Sequence, residues 1–189
     1  MAFGKSEGNA LWLDKNKTSS YKLYQYLVNV DDSVVIDYLK VFTFLSKEEI
    51  DKLEESNKEH PELREAHKAL AREIITDLHG SEEYDKAVKL SEVLFTEEFN
   101  DLTGKEIEEI FSGNTISDIN SDNLLDLLVE VGAAKSKREA REFISGNAIK
   151  INGNKVTDLD YIVSDKDFID GNYLIIKRGK KNYYVGKRN

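Results

Sequence analysis

The sequence has no cysteine and a single proline, Pro61, among its 189 residues. Without cysteine, disulfides and thiolate metal sites are excluded, and a cytoplasmic setting fits. No apolar run approaches the roughly 20 residues that span a bilayer. The start lacks a charged-then-apolar leader, so neither a membrane partner nor export is expected. No glycine-rich turn leads from a strand into a helix, so no nucleotide fold is visible, and no spacing sets a nucleophile beside a base. His60 and His67 lie seven apart, on one helical face, but no carboxylate completes a metal set with them or with His79, and no metal is expected.

What is present describes a soluble globular chain. Hydrophobic residues make up 40% and charged residues 33%, too apolar for disorder, and the length suits two small domains. The net charge of −9 is unevenly spread. Residues 1–120 carry 14 Lys+Arg against 26 Asp+Glu, whereas residues 135–189 carry 13 against 7. Only the local field matters to a charged partner, so the acidic total does not exclude nucleic acid.

The first part reads as successive helices. Tyr21, Tyr24 and Val28 form one apolar stripe, and Val35, Tyr38, Leu39 and Phe42 another. Ser46 with Glu49 and Thr103 with Glu106 have capping-box spacing. A long helix after Pro61 carries Leu63, Ala66, Leu70, Ile74 and Leu78 on one face, and Gly80 ends it. Tyr84, Val88 and Ser91 mark a further helix. Asp31 and Asp32 suit a helix N-cap before Ser33. Residues 112–122 are rich in turn and cap residues without an apolar period, and read as a linker. The expected architecture is α+β in two domains: a helical bundle over 15–112, a linker over 113–122, and a small α/β domain over 123–189.

The last third is the most informative. Ser136 and Glu139 have capping-box spacing, so a helix starts there. Ala140, Phe143 and Ile144 share one of its faces, and Lys137, Arg138 and Arg141 the other. Gly146 suits its left-handed end. Ile149, Lys150 and Ile151 alternate as a strand, and Asn152-Gly153 before Lys155 is a strong hairpin signal. A second hairpin turns at Gly179, with Lys177, Arg178, Lys180 and Lys181 crowded at its tip and no acid in the run. Phosphates are the partner that such a cluster suits. Tyr183 can stack on a base or pack, and strand alternation leaves both open.

This order of a Ser-Lys-Arg-x-Ala-Arg helix and an Ile-x-Ile-Asn-Gly hairpin resembles the small RNA-binding domain shared with ribosomal protein S-four, from about Leu124 onward. At the other end, Phe3-Gly4-Lys5-Ser6 followed by Gly8-Asn9-Ala10-Leu11-Trp12-Leu13-Asp14 is similar to the mobile KMSKS-type loop of bacterial tyrosyl-tRNA synthetases. The likeness continues in order through Ser19 to Tyr26, Asn29 to Asp32, the run from Tyr38 to Leu45, the stretches Ala71 to Gly80 and Ser91 to Phe95, and the closing Ile176 to Tyr184. It implies the C-terminal half of a tyrosine–tRNA ligase. Residues 1–14 would be a loop remnant, followed by the helical anticodon-binding domain and the S-four-like RNA-binding domain.

The resemblance implies tyrosine tRNA as partner. Lys177, Arg178, Lys180 and Lys181 are the foremost candidates for backbone contacts, because a hairpin tip presents them together, and Lys137, Arg138, Arg141, Lys150 and Lys155 come next. The resemblance implies ATP with Mg as the substrate complex of the full enzyme, touched there by Lys5 and Ser6, and no cofactor in this fragment. It also implies a homodimeric full enzyme and a monomeric fragment. Ala2 stands where that loop has its first lysine, so Met1-Ala2 reads as a cloning start. The HIGH-type motif and the nucleotide-binding sheet have no counterpart here. The alternative is a stand-alone S-four-like RNA-binding protein acting on ribosomal RNA or tRNA, against which the domain order argues. A reading from another class makes the acidic half a protein-interaction module.

This polypeptide by itself is therefore expected neither to activate tyrosine nor to charge tRNA. Tyrosine-dependent pyrophosphate exchange measures this. Turnover clearly above a buffer blank, from protein free of host enzyme, would sink the expectation.

Overall fold

Helix starts are written into this chain by hydroxyl caps. Ser19 accepts the Lys22 N–H, Ser46 and Thr103 close full capping boxes with Glu49 and Glu106, and Ser136 accepts the Glu139 N–H. The structure is a computed structural model that describes the backbone of residues 2–3 and all of residues 11–188. The chain divides into two compact units, 1–92 and 93–189. No helix of the described residues is long and apolar enough to cross a membrane.

In the first unit β1 (Ala2–Phe3) pairs antiparallel with β2 (Leu11–Trp12). Four helices follow: α1 (Ser20–Leu27), α2 (Val35–Phe42), α3 (Lys47–Glu59) and α4 (Glu65–His79). The division between the units falls within α5 (Ser81–Thr96). Helix α4 packs against α1, α2 and α3, burying Ala66, His67, Leu70, Ala71, Ile74 and Ile75. Its expected stripe is shifted at both ends, where Leu63 and Leu78 are exposed. Pro61–Leu63 forms a separate 3-10 turn, so α4 starts only at Glu65.

Between that turn and α4, Arg64 adopts φ 51°, unusual without glycine. Its guanidinium compensates: Nε and Nη2 donate to the Val28 carbonyl at 3.0 and 2.8 Å, and Nη1 lies 3.4 Å from Asp32. His67, fully buried, places Nε2 3.1 Å from both the Val30 carbonyl and Asp32. The connection 28–32 is thus clamped by two cation-capable side chains. The acids there do not cap a helix, as the sequence suggested. Asp31 accepts the backbone N–H and the hydroxyl of Ser33, and α2 begins without a side-chain cap.

The second unit contains the end of α5, then α6 (Gly104–Ile110), β3 (Ile116–Asp118), α7 (Leu124–Glu130) and α8 (Lys137–Ser145). Strands β4 (Ile149–Ile151), β5 (Asn154–Lys155), β6 (Tyr173–Arg178) and β7 (Asn182–Lys187) complete a sheet of order β3-β7-β6-β4-β5. Every neighbouring pair is antiparallel except β3 and β7. The fold is α+β, with the helical part ahead of the sheet.

The sheet has two covered faces. Leu174, Ile176, Ile149 and Ile151 join Leu124, Leu127, Leu128, Ala140 and Ile144 of α7 and α8 in one core. On the opposite face Tyr183 packs edge-on to Phe99 and against Phe111, at 6.2 and 5.5 Å between centroids. Gly104 lies flat on Tyr173, where a Cβ would come within 2.3 Å of the ring. Residues 97–111 therefore belong with the sheet, not with the helical bundle that the sequence assigned to 15–112. The stretch 113–122 differs from a linker too: it supplies β3, and the Ile119 N–H donates to the Lys187 carbonyl. Polar turn residues hid a three-residue edge strand too short to show a period.

Burial and the nearby Arg64 cation hold the His67 imidazole below the ordinary histidine value. The folded state thus favours neutral His67, while the unfolded chain titrates near 6.5. Its contribution is complete above about pH 6.5 and is lost as the pH falls below it, by at most about 1.4 kcal/mol per pH unit. Calorimetry between pH 7.5 and 5.5 should show the thermal midpoint falling, and falling less in His67→Asn. Equal pH dependence in the two proteins contradicts this account.

Candidate nucleic-acid interface

Helix α8 carries its charges outward because Ala140 and Ile144 are fixed in the core and Phe143 packs against it. Ser136 caps it as expected, but Glu139 turns to the Lys135 N–H rather than closing the box. Lys137 pairs with Asp126 at 2.6 Å, and Arg138 with Glu142 at 3.3 Å, both cations well exposed. Exposed pairs of this kind contribute little and exchange readily for another anion. Arg141 is exposed and makes no ion pair among the described residues. The helix ends with Asn147, not Gly146, in the left-handed region (φ 56°).

At the second hairpin the sequence expectation is corrected. Gly179 takes φ 67° and makes the turn, but Lys177 and Arg178 lie within β6, not at the tip. Strand alternation then sends their side chains to opposite faces. Only Lys180 and Lys181 project at the tip, exposed and without an ion pair among the described residues.

Lys177 is only 15% exposed at its side chain, and its Nζ lies 2.5 Å from Glu97 and 5.0 Å from the Tyr183 ring centroid. Lys150, opposite it across β4 and β6, reaches the other oxygen of Glu97 at 2.6 Å. Hydrogen bonds from Lys150 and then Lys177 hold the Glu97 carboxyl below the usual carboxylate value, and the same bond raises Lys177. Lys155 follows in that cross-strand row, exposed and without an ion pair among the described residues. Tyr183, left open by the sequence, is spent on packing.

Arg178 also turns inward. Its Nη1 donates to the Ala133 carbonyl at 2.5 Å, and the guanidinium lies 5.0 Å from Phe143 and 5.4 Å from Tyr184. Of the cations singled out in the sequence, those that remain available are therefore Lys137, Arg138 and Arg141 on α8, Lys180 and Lys181 on the turn, and Lys155 on β5. Lys135, exposed just before α8, is a further cation that the sequence reading missed. It was discoverable, since it precedes the Ser136 cap. Glu97 was not, because its partners lie 53 and 80 residues away.

Gly4, Lys5 and Ser6 lie outside the described residues, as does the side chain of Phe3. Just beyond them the Trp12 N–H donates to Thr18 Oγ1 at 2.9 Å, and His79 Nε2 sits 2.7 Å from the Leu13 carbonyl. His79 and His67 thus serve backbone carbonyls, and His60 sits 3.4 Å from Glu62.

Two family models match the sequence. Residues 2–96 match tRNA synthetases class I (W and Y), and residues 106–185 match the tyrosine–tRNA ligase SYY-like C-terminal domain. The tyrosine–tRNA ligase of Staphylococcus haemolyticus (strain JCSC1435) is 46% identical over 97% of this chain and 44% of its own length. That of Staphylococcus carnosus (strain TM300) is 45% identical over 98% and 44%. The chain spans less than half the length of these curated relatives. Among solved structures, a tyrosyl-tRNA synthetase C-terminal domain in solution is 34% identical over 49% of this chain and 95% of its own, with a TM-score of 0.40. A C-terminally truncated Aspergillus nidulans mitochondrial tyrosyl-tRNA synthetase is 44% identical over 46% and 26%, with a TM-score of 0.44.

Removing the Glu97 carboxylate leaves a largely buried Lys177 facing Lys150 without a counter-ion. Glu97→Ala is expected to destabilise the second unit by about 2–3 kcal/mol, the range for orphaning a buried charge and its hydrogen bonds. The wild-type contribution is present above the carboxyl range and lost as the pH falls through it, because the folded Glu97 value is depressed. Urea unfolding at pH 7 tests this, and a loss under about 0.5 kcal/mol, the size of an ordinary surface change, refutes it.

Proposed function

Because the chain belongs to the class I tRNA synthetases (W and Y) and carries a tyrosine–tRNA ligase C-terminal domain, we propose that it holds tyrosine tRNA for such a ligase. The observation that carries this reading is local. On a chain of net charge −9, Lys135, α8, the β6–β7 turn and β5 together expose seven cations, five of them without an ion pair among the described residues. Phosphate contacts by lysine and arginine supply most of the affinity for nucleic acid, and a surface of this kind tracks a backbone rather than reading bases.

In the whole ligase tyrosine would be activated by ATP, with Mg, and passed to the end of the tRNA. Phe3, Gly4, Lys5 and Ser6 resemble the loop that touches the ATP phosphates there. This chain would grip the anticodon stem and the long variable arm, in the cytoplasm. The whole enzyme would be a homodimer, and the chain alone a monomer. Lys180, Lys181, Arg141, Arg138, Lys137, Lys135 and Lys155 are the proposed phosphate contacts. Lys150, Lys177 and Arg178 serve the platform beneath them.

Titration with tyrosine tRNA at several salt concentrations tests the assignment. Changing Lys180 and Lys181 together to Ala should make the log–log salt slope shallower by roughly 1.5 units, at about 0.7–0.9 per phosphate. Lys177→Ala should leave the slope unchanged. A folded double variant with the wild-type slope moves the RNA site away from this turn.

A further inference from the structure

Arg178 combines a hydrogen bond with contacts to two aromatic rings. Its Nη1 donates to the Ala133 carbonyl at 2.5 Å, while its guanidinium carbon lies over the rings of Phe143 and Tyr184. One residue later the Gly179 N–H donates to the Ala148 carbonyl at 2.8 Å. Ala133 precedes α8, Phe143 lies within it, and Ala148 follows it. The end of β6 therefore grips α8 before its start, along its side and after its end. A guanidinium spreads its charge over several donors and can meet a carbonyl and two rings at once, which the single ammonium of lysine does not reproduce in the same geometry.

We infer that Arg178 is a positioning residue for RNA rather than a phosphate ligand. It locks the basic face of α8, with Lys137, Arg138 and Arg141, at a fixed place relative to Lys180 and Lys181 on the turn that follows it. One RNA backbone then meets both groups without having to order them first. This inference rests on the RNA reading above. Loosening the lock makes binding bear the cost of ordering α8, which lowers affinity. The number of counterions released stays the same, because no phosphate contact is lost.

The test compares wild type, R178A and R178K, as full chains, in titrations with tyrosine tRNA across a salt series, with circular dichroism as the folding control. R178A should bind about tenfold more weakly at every salt concentration, the worth of one charge-assisted hydrogen bond. Its salt slope should equal that of wild type, and R178K should not restore affinity. In the absence of RNA, amide exchange in the first turn of α8 should be faster in R178K than in wild type. A slope shallower by about 0.7 or more in R178A makes Arg178 a phosphate ligand and overturns the inference. Affinity restored by R178K overturns it too, since charge alone would then suffice. A wild type that binds no tRNA at low salt fails the RNA reading instead. The exchange measurement still decides the lock, and equal exchange in wild type and R178K overturns it.

Discussion

Lys150 and Lys177 stand directly opposite one another across β4 and β6, with Lys155 next in the same row. Like charges in that register repel, and the Glu97 carboxylate between the first two offsets the repulsion. Its placement constrains the backbone on both sides. Glu97 takes φ 59°, a left-handed conformation at the end of α5, with its N–H on the Val93 carbonyl. Its own carbonyl lies where a Cβ on residue 153 would be, 2.3 Å away, so the hairpin residue there must be glycine. One ion triad thus ties the end of a helix, a hairpin turn and the centre of the sheet together. It explains why residues 97–111 cover the sheet.

The same triad sorts the charges. Cations on β4 and β6 are neutralised or stacked internally, and those on α8, β5 and the turn face solvent. Lys187 and Arg188 follow the first pattern: Lys187 meets Glu108 at 3.1 Å, and Arg188 meets Asp165 at 2.7 Å and lies over Phe168. A count of basic residues therefore overstates the surface open to a polyanion, and the positions that remain are those where strand alternation or helical phase points outward.

The first unit solves a comparable problem with donors. The connection 28–32 offers carbonyls that no helix or strand satisfies, and Arg64 and His67 supply the missing N–H groups. The left-handed strain at Arg64 is tolerated because its side chain makes several bonds at once. His67 Nδ1 remains buried without a partner among the described residues, the cost of placing an imidazole in an apolar interior.

Much of this was legible in the residues themselves. Capping at Ser46, Thr103 and Ser136, the Asn152-Gly153 turn with both residues at positive φ, the turn at Gly179 and the alternation of β4 and β6 are local and appear as expected. The α+β class followed from them. The membership of α6, the strand within 113–122 and the fate of Lys150, Lys177 and Arg178 were not legible. Each depends on a partner far along the chain: Tyr173 and Tyr183 for residues 97–111, Lys187 for Ile119, Glu97 and Ala133 for the cations. By itself the sequence determined most of the helices, the tight turns and the strands of the two hairpins, because caps, glycines and periodicity act within a few residues. Only the tertiary structure decided which charges are spent and which are free, because ion pairing depends on distance in space and not on distance along the chain.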